Sequence, residues 1–282
     1  VGPWAHARDI LLPGAQNSIP YRRESIAPSI AWFDHQLGIS KIPLKMSRIK
    51  IFVMGDNSWR EENEWPLART KYTNFYLHSM GAANSHNGDG LLKNVIQKKG
   101  TFFDEYIYDP LDPVPSAGGA MLGPRSGIQL QNTVESRDDV LVYTTDALTK
   151  PLEATGPVST ILYVSTDVPS TDFTAKLVDV YPDGQAYNVR DGILRRDYSK
   201  KNNHENNPVE IKIDLWPTSY VFDKGHKIRL EISSSNFPRY DRNTNTGEST
   251  PTANTTIIAN QKIFHSTNYQ SRLILPIIPR SK

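Results

Sequence analysis

Histidine is the side chain best suited to moving protons near neutrality. The first histidine of this chain, His6, sits in the apolar, proline-containing stretch VGPWAH. A general base there needs a nucleophile to activate. The chain has no cysteine and no Gly-x-Ser-x-Gly turn that would expose a serine. Its nucleophile must therefore lie elsewhere, and by pattern alone His6 reads first as an ordinary loop histidine.

The remaining chemistry-bearing clusters are weaker. NSHNGDG places His86 near Asp89, but one His and one Asp make an incomplete metal site, and Asn-Gly-Asp-Gly is first a turn sequence. In DRNTNTGEST, Asp241, Asn243 and Asn245 alternate as in a calcium loop. Gly247 comes one place late and no glutamate closes the loop, so a polar loop buttressing the fold is expected. SWREENEWPL holds Glu61, Glu62 and Glu64 between two tryptophans. These carboxylates are too local to flank a sugar bond, and the stretch reads as a surface loop anchored by Trp59 and Trp65. The same tryptophans could form a carbohydrate-stacking platform, the alternative function if the domain stands alone. His35, His78, His204, His226 and His265 fall at no metal-ligand spacing and suit structural roles; His226 is expected to tie down the Lys-Gly turn before it. The serines of SSSNF suit strand-end hydrogen bonding better than nucleophilic attack. No metal or cofactor is called for.

The elements that must position these residues are mostly strands. Twenty prolines, seventeen glycines and thirteen tyrosines favour many strands and turns over a helical bundle. One helix is expected at about 28–37, with Pro28 in its first turn, Ile26, Ile30, Phe33 and Leu37 on one stripe, and Gly38 as its stop. From RIKIFVMG onward the chain reads as a succession of strands without intervening helices. They include FYLHS, GTFFDEYIYDP, DVLVYTT, STILYVSTD, DFTAKLVDV, AYNVRDGILRRDY, VEIKIDLW, HKIRLEISSS, TIIANQKIFHS and SRLILPII. Pro-Asp-Gly in DVYPDGQAY signals a hairpin. Over about 230 residues this pattern points to a β-sandwich, a jelly roll rather than an immunoglobulin type. Thirty-two basic residues against thirty acidic ones, with no block of like charge, give no track for nucleic acid or polybasic membrane anchor. No apolar run approaches the roughly 18 residues of a membrane span.

VGPWAH resembles the segment that carries the catalytic histidine in the cocaine-esterase-like and X-Pro dipeptidyl-peptidase-like serine hydrolases. The resemblance continues through WFDHQLG, VMGDNSWREENEWPLARTKYTNFYL, IYDPLDPVPSAGG, VLVYTTDALTKPLEATGPV, DFTAKLVDVYPDGQA and SSSNFPRYDRNTNTG, nearly the whole chain. It implies a galactose-binding-like jelly roll at residues 46–282, preceded at 1–45 by the last loop and helix of an α/β-hydrolase domain. In such domains the triad runs in chain order nucleophile, acid, histidine, so His6 is expected to be the catalytic base, with serine and aspartate upstream. The implied activity is hydrolysis of ester or amide bonds through an acyl-enzyme, in an acyl esterase, X-Pro dipeptidyl-peptidase or glutaryl-7-aminocephalosporanic-acid acylase. This polypeptide alone is expected to be inactive.

The implied partners are a small acyl ester, amide or peptide substrate, the N-terminal catalytic domain, and a second copy of the chain; nucleic acid and membrane are not among them. The compartment is left open between cytoplasm and secretion in a bacterium. The loop DPVPSAGGAMLGPRSG, residues 112–127, is too rich in proline and glycine for a strand and too long for a simple turn. By the resemblance it faces the catalytic domain, so Met121 and Leu122 are expected to border the acyl site; packing on their own sandwich is the competing role.

Overall fold

A computed structural model describes residues 1–4, 9–44, 46–98, 101–123, 125–198, 208–248 and 254–279. A π-helical turn at Arg22–Ile26 runs into α1, Ala27–Gln36. Pro28 occupies its first turn and Gly38, at φ 70°, follows its end, as the sequence predicts. The predicted apolar stripe is also there, but no described residue covers it: Ile30 and Phe33 are each 56% exposed and Leu37 71%.

Among the described residues thirteen strands follow: β1 Ile49–Val53, β2 Ser58–Glu62, β3 Lys71–His78, β4 Leu91–Lys93, β5 Thr101–Tyr108, β6 Leu141–Thr144, β7 Leu152–Thr166, β8 Ser170–Val180, β9 Ala186–Asp197, β10 Val209–Phe222, β11 Lys227–Ser233, β12 Ala259–Ser266 and β13 Arg272–Ile278. β1 and β2 form a hairpin of their own. The long β7 organises the rest, with β10 along one edge and β12 and β13 sharing the other. One wing continues from β12 to β5. The other runs from β13 through β3, β4, β6, β11 and β8 to β9, antiparallel throughout except for the β4–β6 pair. The far strand β9 returns to lie against β10, where a Cβ on Gly192 would overlap the Asp214 carbonyl oxygen. The result is the expected mainly β sandwich.

Its core gathers Tyr143, Leu162, Phe173, Leu177, Ile213, Phe222, Leu230 and Leu273, each at most 1% exposed. Alternation along β10, β11 and β13 places Ile213, Leu230 and Leu273 inward. β8 is buried at all eleven positions. Phe173, Ala175 and Leu177 face the core, while on the opposite face Asp172, Thr174 and Lys176 meet buried polar partners, Asn243, Ser233 and Gln131. The Pro-Asp-Gly hairpin joins β8 to β9, with Gly184 at φ 88° and the Tyr181 N–H donating to the Gln185 carbonyl at 2.8 Å.

Two expectations need correction. SWREENEWPL is not a surface loop throughout: Ser58–Glu62 pairs with β1, and Glu62 is only 7% exposed, ion-paired to Arg60 at 2.7 Å and to Arg69. β10 does not end at Trp216. A bulge between Asp214 and Pro217, with Trp216 at φ 66°, absorbs the residues that cannot join the ladder, and pairing resumes as far as Phe222.

Candidate functional site

Three stretches meet at a cleft of about 550 Å³: the start of the chain, the loop before β6, and the first half of β9. At the start, the Trp4 indole donates from Nε1 to the Ile19 carbonyl at 3.1 Å and meets Tyr21 edge-on and Trp59 at 5.6 and 5.7 Å. Trp4 also joins Leu12, Ile19 and Phe52 in one apolar cluster, so residues from both sides of position 45 share it. The expected base, His6, lies outside the described residues; Pro3 and Trp4 line the cleft.

The loop is held at its base by buried hydrogen bonds to the strand-end serine run. The Val114 N–H donates to Ser235 Oγ at 2.8 Å, and Ser116 donates from its N–H to the Phe237 carbonyl at 2.6 Å and from Oγ to the Asn236 carbonyl at 2.7 Å. Further out, Gly119 and Gly127 exchange backbone bonds at 2.7 and 2.9 Å with φ of 93° and 82°, a region side chains avoid. Asn188 of β9 clamps this neck, accepting from the Gln129 N–H at 2.6 Å and donating to the Gly127 carbonyl at 3.2 Å. The turn beyond the neck presents Met121, half-buried, and Leu122, 73% exposed, and both line the cleft. The arrangement is a recess of mixed polarity, lined by Trp4, Met54, Met121, Leu122 and Ile128 and by Tyr21, Ser126 and Asn188, and closed on one side by β9.

Its floor carries charge that sequence reasoning missed. Arg190 and Asp191 follow the β9 bulge and are the charged side chains among the described lining residues. Asp191 is engaged by Arg239 and by Asn236 Nδ2 at 2.9 Å. Arg190 has a buried Nε with no hydrogen bond. Burial lowers its pKa from the ordinary arginine value, the Asp191 charge opposing the shift and Arg239 adding to it. Nothing in AYNVRDG signals this, because the partners that could have satisfied Arg190 are set by the crossing of distant segments.

The other candidates separate from the cleft. His86 is tied to Glu135, its N–H and Nδ1 lying 2.7 and 3.1 Å from that carbonyl. Asn243 and Asn245 brace the sandwich through Asp172 and Ile257, as the buttress reading expects. The SSSNF serines also behave as expected: Ser233 meets Thr174 and Ser234 meets Tyr106. His226 departs from expectation, reaching beyond its turn to Asp179 on β8 at 3.0 Å and lying 4.2 Å from the Tyr181 ring. His265 is buried against Asp104 at 2.8 Å. His204 lies outside the described residues. Trp59 is half-buried, packed against Phe52 and Trp4 with the Lys50 ammonium 5.1 Å from its ring, while Trp65 is 37% exposed. Among the described residues no three His, Cys, Asp or Glu side chains converge to hold a metal, and no helix is long and apolar enough to cross a membrane.

Residues 45–274 match the X-Pro dipeptidyl-peptidase C-terminal non-catalytic domain. The chain is 41% identical to a cocaine esterase of Rhodococcus sp. (strain MB1 Bresler) over 300 aligned positions, covering 99% of this chain and 51% of the esterase. An aminopeptidase from a marine sediment archaeon, Thaumarchaeota archaeon, matches with a TM-score of 0.81 at 27% identity, over 99% of this chain and 48% of its own. An α-amino acid ester hydrolase matches with a TM-score of 0.75 at 25% identity, over 91% and 45%. The chain thus spans about half the length of these relatives. Fold and likenesses together define a C-terminal β-sandwich domain of the X-Pro dipeptidyl-peptidase type. This chain belongs to the X-Pro dipeptidyl-peptidase C-terminal domain family.

Proposed function

We propose that this chain is the C-terminal part of a serine hydrolase of the acyl esterase, acylase or dipeptidyl-peptidase type, and that His6 is its catalytic base. The serine and aspartate of the triad then belong to sequence outside this chain, in keeping with relatives about twice as long. His6 takes the serine proton as the hydroxyl attacks the ester or amide carbonyl. It returns that proton to the leaving group as the acyl-enzyme forms, then activates the water that releases the acid. The loop turn with Met121 and Leu122 forms part of the acyl-pocket wall and does no chemistry.

The observation that carries the reading is the cleft itself. Trp4, two residues before His6, lines the same recess as Met121 and Leu122, although more than a hundred residues separate them in the chain. The test uses the longer protein that contains a Gly-x-Ser-x-Gly turn and an aspartate ahead of VGPWAH. There His6→Ala should remove turnover of p-nitrophenyl esters by several orders of magnitude while the fold is kept. This chain alone should show no turnover. Ester hydrolysis by this chain alone that survives His6→Ala would overturn the assignment.

A further inference from the structure

Beneath the loop before β6, on the face of β8 and β11 turned away from the core, two glutamates are buried side by side. Glu135 is fully buried and Glu231 is 3% exposed. Each has one oxygen satisfied by a cation: Arg229 Nη1 donates to Glu135 Oε2 at 2.5 Å, and Lys176 Nζ to Glu231 Oε2 at 2.9 Å. The two carboxyls lie within hydrogen-bonding reach of each other. Their remaining oxygens, Glu135 Oε1 and Glu231 Oε1, are buried and have no donor among the described residues. Ionised carboxylates only accept, so neighbouring ones lack a donor until one of them is protonated. A single shared proton supplies that donor and removes the contact between like charges.

The surrounding charges set when that proton leaves. β11 supplies Arg229 as well as Glu231, and β8 supplies Lys176, which stands opposite Glu231 on one side and Asp191 of β9 on the other. Asp191 is engaged by Arg239 and Asn236. His86 reaches the Glu135 carbonyl from the segment after β3, and Arg137 is committed to Asp139 and Asp112. Two cations therefore meet the two glutamates directly. The doubly ionised pair is balanced in charge, so a rise in pH can reach it, although burial and the Glu231 charge delay ionisation of Glu135 to about 8.

A short run of hydrogen bonds joins the pair to the loop. Lys176 Nζ is divided between Glu231 and Gln131 Oε1, the latter at 2.7 Å. Gln131, fully buried, donates from Nε2 to the Ala117 and Gln129 carbonyls at 3.0 and 2.8 Å and to Asn188 Oδ1 at 3.3 Å. Asn188 in turn clamps the neck formed by Gly119 and Gly127. The backbone gives a second connection, the Glu135 N–H donating to the Gln131 carbonyl at 2.9 Å. Once the shared proton is gone the carboxylates repel, Glu231 draws the Lys176 ammonium to itself, and Gln131 Oε1 loses its donor. The amide that ties Ala117 to Gln129 is then without its anchor. We propose that Glu135 and Glu231 share one proton and that its loss releases the Gly119 and Gly127 neck, so the loop carrying Met121 and Leu122 is held in the protonated state and freed in the ionised one. This device goes beyond the hydrolase reading and stands whatever the cleft receives.

The chain has four methionines, so labelling their methyl groups with carbon-13 gives four resonances, among them Met121 in the loop and the distant, exposed Met46. Between pH 6 and pH 10 the Met121 methyl should shift and sharpen with a midpoint of about 8, while Met46 stays in place. Over the same range the Gly119 and Gly127 N–H groups, corrected for the intrinsic effect of pH on exchange, should lose about tenfold or more of their protection, with β7 amides unchanged. Glu135→Gln, which keeps a donor between the two side chains and cannot ionise, should leave both readouts flat. Gln131→Leu cuts the connection, so its neck should exchange fast at every pH. A Met121 methyl and neck protection that stay constant from pH 6 to pH 10 in the parent chain would overturn the proposal without reliance on any variant. So would a Met121 titration that persists in Glu135→Gln. Loss of β7 protection in step with the neck would overturn it too, the transition then being global unfolding and not release of the loop.

Discussion

Glu135 is fully buried and accepts from Arg229 Nη1 at 2.5 Å, while its neighbour Glu231 accepts from Lys176 Nζ at 2.9 Å. Burial first, and then the Glu231 charge, push the Glu135 carboxyl up to about 8. The folded chain therefore holds a proton that the unfolded chain has released between the ordinary glutamate range and about pH 8. Stability from this group is fully present below that ordinary range and is lost as pH rises through about 8. The urea midpoint should fall between pH 6 and pH 9, and Glu135→Gln should flatten the decline. Asp104 shows the opposite case. Burial would raise its carboxyl, but hydrogen bonds from His265, Ser79 and Tyr143, at 2.8, 2.6 and 2.7 Å, hold it below the ordinary aspartate value. Its contribution is present above the ordinary carboxylate range and lost as pH falls through the depressed value. His265→Ala leaves that buried carboxylate short of a partner and should cost about 3–5 kcal/mol in denaturant unfolding at neutral pH.

Strand β9 and the loop before β6 carry their consequences as units. Gly192 lets the β9 backbone press against β10, and a methyl group there would meet the Asp214 carbonyl with no flexible side chain to move aside. Gly192→Ala should therefore destabilise by about 1–3 kcal/mol, read as a melting temperature lowered by a few degrees, with the cleft reshaped because Arg190 and Asp191 adjoin the displaced residue. The loop behaves differently. Leu122 is exposed, so replacing it should shift stability by less than about 0.5 kcal/mol. The double change Met121→Ala, Leu122→Ala in the longer protein should instead reorder its preference among short and bulky acyl esters. A melting temperature that drops while the ranking stays unchanged would mean that the two side chains only pack on their own sandwich.

At the scale of the whole molecule, the N-terminal segment leaves apolar surface uncovered. Ile30, Trp32, Phe33, Leu37, Ile39 and Ile42 are 43% to 77% exposed within a few turns of chain, and an apolar patch of this kind ordinarily meets another surface. In the proposed reading that surface is the catalytic domain. This chain by itself should self-associate as its concentration rises in size-exclusion chromatography, and Ile30→Glu with Phe33→Glu should return it to a monomer with the sandwich intact. The same pair in the longer protein should lower its stability, since charges would then enter a buried interface.

The sequence by itself determined what depends on near neighbours. Pro28 and Gly38 bracket α1, Pro-Asp-Gly closes the β8–β9 hairpin, and the runs SRLILPII and HKIRLEIS become β13 and β11. These features follow from backbone sterics and a period of two, which a short window of residues settles. The cleft was legible only in part, through VGPWAH and the glycine-rich loop. Tertiary structure alone decided that Glu62 is buried, because Arg60, which it pairs with, is itself held by Glu153 from a distant strand. It alone decided that His226 answers to Asp179 rather than to its own turn. It alone left Arg190 without a carboxylate, since one extra residue at Val189 turns the side chain toward the cleft while Arg239 claims Asp191. Burial and pairing of charge depend on which distant strands cross, and no local pattern encodes that crossing.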